Sequence, residues 1–249
     1  MRFICLLMSL ILSLTIALSA VLGAEGVDPR KVSVLYTGDP YPGVTPYISM
    51  KEDAFISVTP VQGSRQHYAG ITWEDIHKSL RIYMPRTYQD YLKRYDVMIL
   101  SDTNIRIFTD DQHFWLRDGV LDHGMGLLMV GGLETFGAGF GHMPWSGSLV
   151  EEVLPVQIPR GGIDWVSGAI KLEVVPEGYS NEFIASLPYD PLPEYMRQGT
   201  DGNLVYQKEG STLLARWVIA TYQYENPPCY VTWDVGEGRT YAMCHDWTP

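Results

Sequence analysis

Apolar positions in this chain come in two textures, and the change falls near Leu154. Before it, short unbroken apolar runs alternate with helix-length polar segments. Val32 to Tyr36 is the first run, ended by the turn residues Thr37-Gly38-Asp39-Pro40. Ala54 to Gln62 is the second, weakened by Pro60, which cannot donate to a sheet ladder. Asp96 to Ser101 and Gly126 to Val130 ("GLLMV") follow. Their apolar cores do not alternate, as expected of strands covered on both faces. Thr72 with Asp75, and Thr109 with Gln112, have the spacing of capping boxes. They predict helices reaching about Tyr83 and about Asp122, stopped by Pro85 and Gly124. Asp110 and Asp111 suit the positive end of the second helix. "RTYQDYLKRY" predicts a short helix leading into the strand at Asp96.

Strands and helices in this alternation predict a parallel sheet with crossover helices. Beyond Leu154, the stretch "ARWVIATYQYENPPCYVTWDVGEGRTYAM" alternates and carries a turn at Gly236-Glu237-Gly238, which predicts an antiparallel hairpin. No repeat or low-complexity linker interrupts the chain. The expectation is a single α/β domain over about 30–249, with an antiparallel, β-rich C-terminal part.

Composition narrows the function classes. A length of 249 residues suits one large domain, or two small ones at most. An apolar content of 46% with 12% aromatics excludes a disordered chain. The formal charge of −11 repels phosphate backbones, so no nucleic-acid partner is expected. At the N-terminus Arg2 precedes an uncharged run, Ile4 to Leu22, and then Gly23-Ala24-Glu25. That pattern reads as a signal peptide or signal-anchor over 1–24, with 4–22 as the membrane anchor if it is not cut. It predicts a secreted or membrane-anchored chain, outside the cytoplasm. Of the three cysteines, Cys5 lies in that segment; Cys229 and Cys244 flank the predicted hairpin, as one disulfide or as two buried thiols.

The strand at Gly126–Val130 runs into a glycine-rich loop, with glycines at 131, 132, 137, 139, 141 and 147. A phosphate-binding P-loop needs Gly-Lys-Ser/Thr, and no lysine occurs between Lys93 and Lys171. The dinucleotide fingerprint needs Gly-x-Gly-x-x-Gly, but Gly137, Gly139 and Gly141 stand two apart and several residues past the strand. Neither reading fits. A third use of such a loop is a sharp elbow that presents a nucleophile.

Here the sequence resembles a family. "YDVMILSD", "GLLMVGGLETF", "VEEVLPVQI" and the closing "VGEGRTYAMCHDWTP" are together similar to class I glutamine amidotransferase-like domains, in particular their uncharacterised branch, over about 32–249. The resemblance implies a flavodoxin-like parallel sheet with helices on both faces. In active amidotransferases a cysteine follows the strand corresponding to Gly126–Val130, assisted by a histidine and a carboxylate. This chain has Gly131, Gly132 and Leu133 there, and no cysteine between Cys5 and Cys229. Fold and activity therefore separate, and glutaminase chemistry is not expected.

What remains is a crevice at the carboxyl ends of the strands, where parallel α/β sheets bind ligands. Its candidate lining is Asp39 after the first strand, Asp102 and Thr103 after the third, Gly131, Gly132, Glu134 and Thr135 after the fourth, His142 in the glycine loop, and Asp246 with His245 after the last. Clustered acids there can polarise water or hydrogen-bond a small molecule; aspartates at such positions also cap turns. The histidines lack metal-ligand spacing, so neither a metal nor a cofactor is expected. Two functions follow: a non-catalytic, exported module binding a small molecule or a protein, or a hydrolase with Glu134, Asp102 or Asp246 as general base, with or without a metal. Members of the resembling family usually continue past "HDWTP" into a covering helix. An apolar patch is therefore expected near Trp233, Tyr241, Met243 and Trp247, covered in a homo-oligomer or by further chain.

Overall fold

The computed structural model describes residues 30–38, 46–65, 70–137, 143–161, 164–181, 184, 200–219 and 227–245. Its first half follows the alternation of the sequence: β1 (Val32–Gly38), α1 (Pro46–Glu52), β2 (Ile56–Gln62), α2 (Trp73–Tyr83), α3 (Tyr88–Arg94), β3 (Val97–Ser101), a single 3₁₀ turn (Ile105–Ile107), α4 (Asp110–His123) and β4 (Gly126–Val130). Both capping boxes form: Thr72 accepts from the Asp75 N–H and Thr109 from the Gln112 N–H, with the reciprocal bonds present. Gly124 ends α4 in the left-handed conformation, φ 70°, which costs glycine nothing.

The second half is α5 (Leu149–Val153), β5 (Val156–Gln157), β6 (Trp165–Val174), α6 (Pro176–Tyr179), β7 (Thr200–Asn203), β8 (Tyr206–Gln207), β9 (Thr212–Ile219), β10 (Pro228–Val235) and β11 (Gly238–Met243). One nine-stranded sheet, ordered β2-β1-β3-β4-β11-β10-β9-β6-β7, takes in all strands but β5 and β8, which pair with each other. From β2 to β11 neighbouring strands run parallel. From β11 to β7 they run antiparallel. The architecture is thus mixed α/β, with a large central sheet and helices. Every residue of β3 and β4 is buried, as their unbroken apolar runs require. Pro60 is tolerated because β2 is an edge strand, bonded to β1 alone.

The end of the chain corrects one expectation. β11 is inserted between β4 and β10, at the centre of the sheet, so it exposes no edge. Tyr241 and Met243 are buried within the chain itself and Trp233 is half-buried. The patch expected there as a homo-oligomer contact loses those two residues, and Trp247 lies outside the described residues. The sequence places the hairpin correctly but not its return to β4, because that long-range parallel pairing leaves no local pattern. The turn itself is tight: Val235 pairs with Gly238 across Gly236-Glu237, and Gly236 has φ 58°.

Candidate functional site

The strand order reverses between β1 and β3, where α/β sheets open a crevice at their carboxyl ends. Here the crevice is stitched shut. Thr103 Oγ1 donates to the Thr37 carbonyl at 2.9 Å, the two threonine hydroxyls lie 3.0 Å apart, and Thr37 Oγ1 reaches the Ile99 carbonyl. Gly63 packs over them: its N–H donates to the Gly38 carbonyl, and a side-chain carbon on it would lie 2.8 Å from Thr103 Oγ1.

Asp102, directly after β3, adopts a left-handed backbone (φ 45°), which an aspartate accepts more readily than most residues. That turn aims Oδ1 at the Glu134 N–H, 2.6 Å away. The Glu134 carboxylate accepts in turn from the Asn104 amide, whose oxygen caps the 3₁₀ turn at Arg106 N. Thr135 Oγ1 donates back to the Val130 carbonyl. Trp145, fully buried, closes the edge by donating its indole N–H to the Thr103 carbonyl at 2.9 Å. Phe136, also fully buried, accepts the Trp145 N–H on its carbonyl. The glycine loop thus leaves β4 and returns an indole into the crevice.

The structure places Asp102, Thr103, Gly131, Gly132, Glu134 and Thr135 at one edge, where Asp102 bonds Glu134, Thr103 bonds Thr37 and Thr135 bonds the end of β4. Asp39, His142 and Asp246 lie outside the described residues. Among the described residues no three His, Cys, Asp or Glu side chains converge as a metal-binding group.

Sequence reasoning missed a second polar group on the antiparallel side of β4. Asn203, at the end of β7, accepts the Gly132 N–H (3.0 Å) and donates to the Gly132 carbonyl (3.1 Å) and to Asp164 Oδ2 (2.9 Å). Asp164 Oδ2 also accepts the Gly137 N–H, while its Oδ1 is buried with no hydrogen-bond partner among the described residues. Burial pushes the Asp164 carboxyl above the usual carboxylate range, against the pull of the Asn203 and Gly137 bonds. His245 follows β11, bridges to Gly202 and bonds Tyr230 through Nε2. Trp217 lies edge-on to His245, ring centroids 6.0 Å apart, and among the described residues its buried indole N–H has no partner. The nearest sequence signal was His245; Asp164 and Asn203 lie far from β4 in the chain, and nothing local marks them.

The elbow leaves no room for a nucleophile. A side-chain carbon on Gly132 would stand 2.6 Å from Asp102 Cγ, and one on Gly131 2.7 Å from the His245 nitrogen and 2.8 Å from Asn203 Oδ1. Real carbons essentially never approach so closely. Cys229 and Cys244 are free, fully buried thiols facing each other across β10 and β11, where Cys244 N–H donates to the Cys229 carbonyl. Burial pushes both thiols up, the opposite of what an attacking thiolate needs.

No protein-family model matches the chain, and no curated protein does. Two solved structures from Salmonella typhimurium share the fold. The cytoplasmic protein STM1381 aligns over 88% of this chain and 89% of its own, with a TM-score of 0.63 and 19% identity. The cytoplasmic protein STM3548 covers the same shares with a TM-score of 0.59 and 18% identity. Neither is named as an amidotransferase. A β-galactosidase from Bacillus circulans aligns over 87% of this chain but 28% of its own, at 12% identity and a TM-score of 0.39, too low to carry an argument.

These findings correct the expectation of an exported module, whether secreted or membrane-anchored. The two structures that share the fold over most of the chain are of proteins named as cytoplasmic. Among the described residues no helix is long and apolar enough to cross a membrane. Residues 1–24, with the anchor at 4–22, lie outside the described residues. Length and hydropathy of one run state what a segment would do in a bilayer, not whether it reaches one. The hydrolase alternative is not carried forward either, since Asp102 and Glu134 are buried and tied into the closed edge.

Proposed function

We propose that this chain is a class I glutamine amidotransferase-like domain without glutaminase activity, in which the edge used for catalysis in active members serves instead as a structural clasp. The order β2-β1-β3-β4-β11 supports a flavodoxin-like reading of the parallel half. Right-handed crossovers on that order set α1 on the face opposite α2, α3 and α4. The resembling stretch "GLLMVGGLETF" covers β4 and the elbow, and His245 follows the neighbouring parallel strand.

One observation carries the reading. The two positions after β4 are glycines, and Asp102 fills the space that a side chain on Gly132 would need. In place of chemistry, the edge joins the two halves of the sheet: Asn203 from the antiparallel half holds both backbone groups of Gly132. The test is ammonia release from glutamine by the purified chain and by Gly132→Cys. Neither is expected to exceed a heat-treated control. Release by the wild-type chain that survives replacement of Cys229 and Cys244 overturns the proposal.

A further inference from the structure

An open groove lies away from the closed edge. Between the second half of α2 and the first half of α4 lies a groove of about 610 Å³, the size that takes a small molecule rather than a protein segment. Lys78, Arg81, Ile82 and Arg86 line one side; Asp111, Gln112 and Trp115 line the other. On a chain carrying a net −11, three cations here face a single lining carboxylate. Among the described residues Arg81 and Arg86 are held in no hydrogen bond or ion pair, while Lys78 also feels the Asp75 carboxylate one turn before it. Lys78 and Arg81 are three apart on α2 and so project from one face. Trp115 is half-buried and braced from behind by Tyr88 and Tyr91, ring centroids 6.3 Å from it in each case.

Unpaired guanidinium groups beside a fixed indole define a ligand chemistry. A guanidinium fork matches phosphate oxygens in pairs, and an indole face or edge receives a flat ring. We propose that this groove binds a small aromatic phosphate, a molecule of mononucleotide size, with Arg81, Arg86 and Lys78 on the phosphate and Trp115 against the ring. The contrast with the parallel side of the sheet edge is physical: there the polar groups are spent on one another, here the two guanidinium groups face solvent.

The test is calorimetric titration of the full chain with adenosine monophosphate, adenosine and inorganic phosphate. Saturable binding of the monophosphate is expected, with adenosine and phosphate each weaker by about 10-fold or more, since each keeps only one set of contacts. Arg81→Gln with Arg86→Gln should weaken it by roughly 5- to 20-fold, and added salt should weaken it further. Trp115→Phe should weaken it less, and Trp115→Ala more. Both arginines are exposed, so circular dichroism should show the double variant folded. No saturable binding at millimolar monophosphate, or equal affinity in the folded double variant, overturns the proposal.

Discussion

The carboxyl edge of the sheet has two sides, divided at β4, and they are finished differently. On the parallel side Thr37, Asp102, Thr103, Asn104 and Glu134 bond to one another or to the backbone, and Trp145 covers them. On the antiparallel side Asn203 bonds through both its oxygen and its nitrogen, yet Asp164 Oδ1 and Trp217 Nε1 are buried without partners among the described residues. Leaving such an atom unpaired costs about 1–3 kcal/mol. The comparison teaches where a parallel α/β edge can be closed cheaply. Residues that follow the neighbouring parallel strands β1, β3 and β4 close the first side, brought together by the sheet itself. The second side is assembled from segments distant in the chain, β7, β9 and the approach to β6, and its pairing is incomplete.

The largest effect should come where the two sides meet. Gly132 touches both, through Asp102 on one side and Asn203 on the other. Gly132→Ala pushes a carbon into the Asp102 carboxyl group and should cost about 3 kcal/mol, the upper range for overpacking. A urea melt measures it. A loss under about 0.5 kcal/mol, the level of an ordinary surface change, would mean that Asp102 swings away freely and the clasp is loose.

How much of this was legible in the sequence follows the same division. Strands β1, β3 and β4 and helices α2, α3 and α4 announce themselves through apolar runs and capping boxes, because their signals are local. Asp102, Thr103, Glu134 and Thr135 were legible as neighbours for a related reason: a parallel sheet gathers the residues that follow each strand at one edge. Their being bonded to one another was not legible, since that depends on the left-handed turn at Asp102 and on Trp145 folding back from the glycine loop. Asp164 and Asn203 were missed altogether. Both belong to the antiparallel half, whose register is set by β9 and β6 rather than by any motif.

Asn203 supplies the next test. Asn203→Ala removes the partner of the Gly132 N–H and carbonyl and one of the donors to Asp164. The loss should be about 2 kcal/mol, smaller than at Gly132 because no atoms are forced together. Its signature should be local: amide exchange at Gly132 and Gly137 should quicken while the amides of β3 stay protected. Equal loosening of β3 would show that the parallel side depends on the antiparallel one, and the two sides would have to be treated as a single unit.

The smallest effect concerns Asp164 itself, and its sign separates an under-paired carboxylate from a satisfied one. Burial raises the folded carboxyl above its unfolded value of 3.8. Between those two values the folded chain holds the proton more often than the unfolded chain, so stability falls as pH rises. The contribution of Asp164 is therefore fully present below the unfolded value and is lost as pH climbs through the folded one. An asparagine side chain in its place does not titrate, and its oxygen can still accept the Gly137 N–H. Asp164→Asn should accordingly raise the urea midpoint slightly at about pH 7, and its advantage should vanish below about pH 3.8. A variant weaker than wild type near neutrality, with the gap closing in acid, would show that the ionised carboxylate is stabilised where it sits. Oδ1 would then have a partner, such as a bound water or cation, and the antiparallel side would be as well finished as the parallel one.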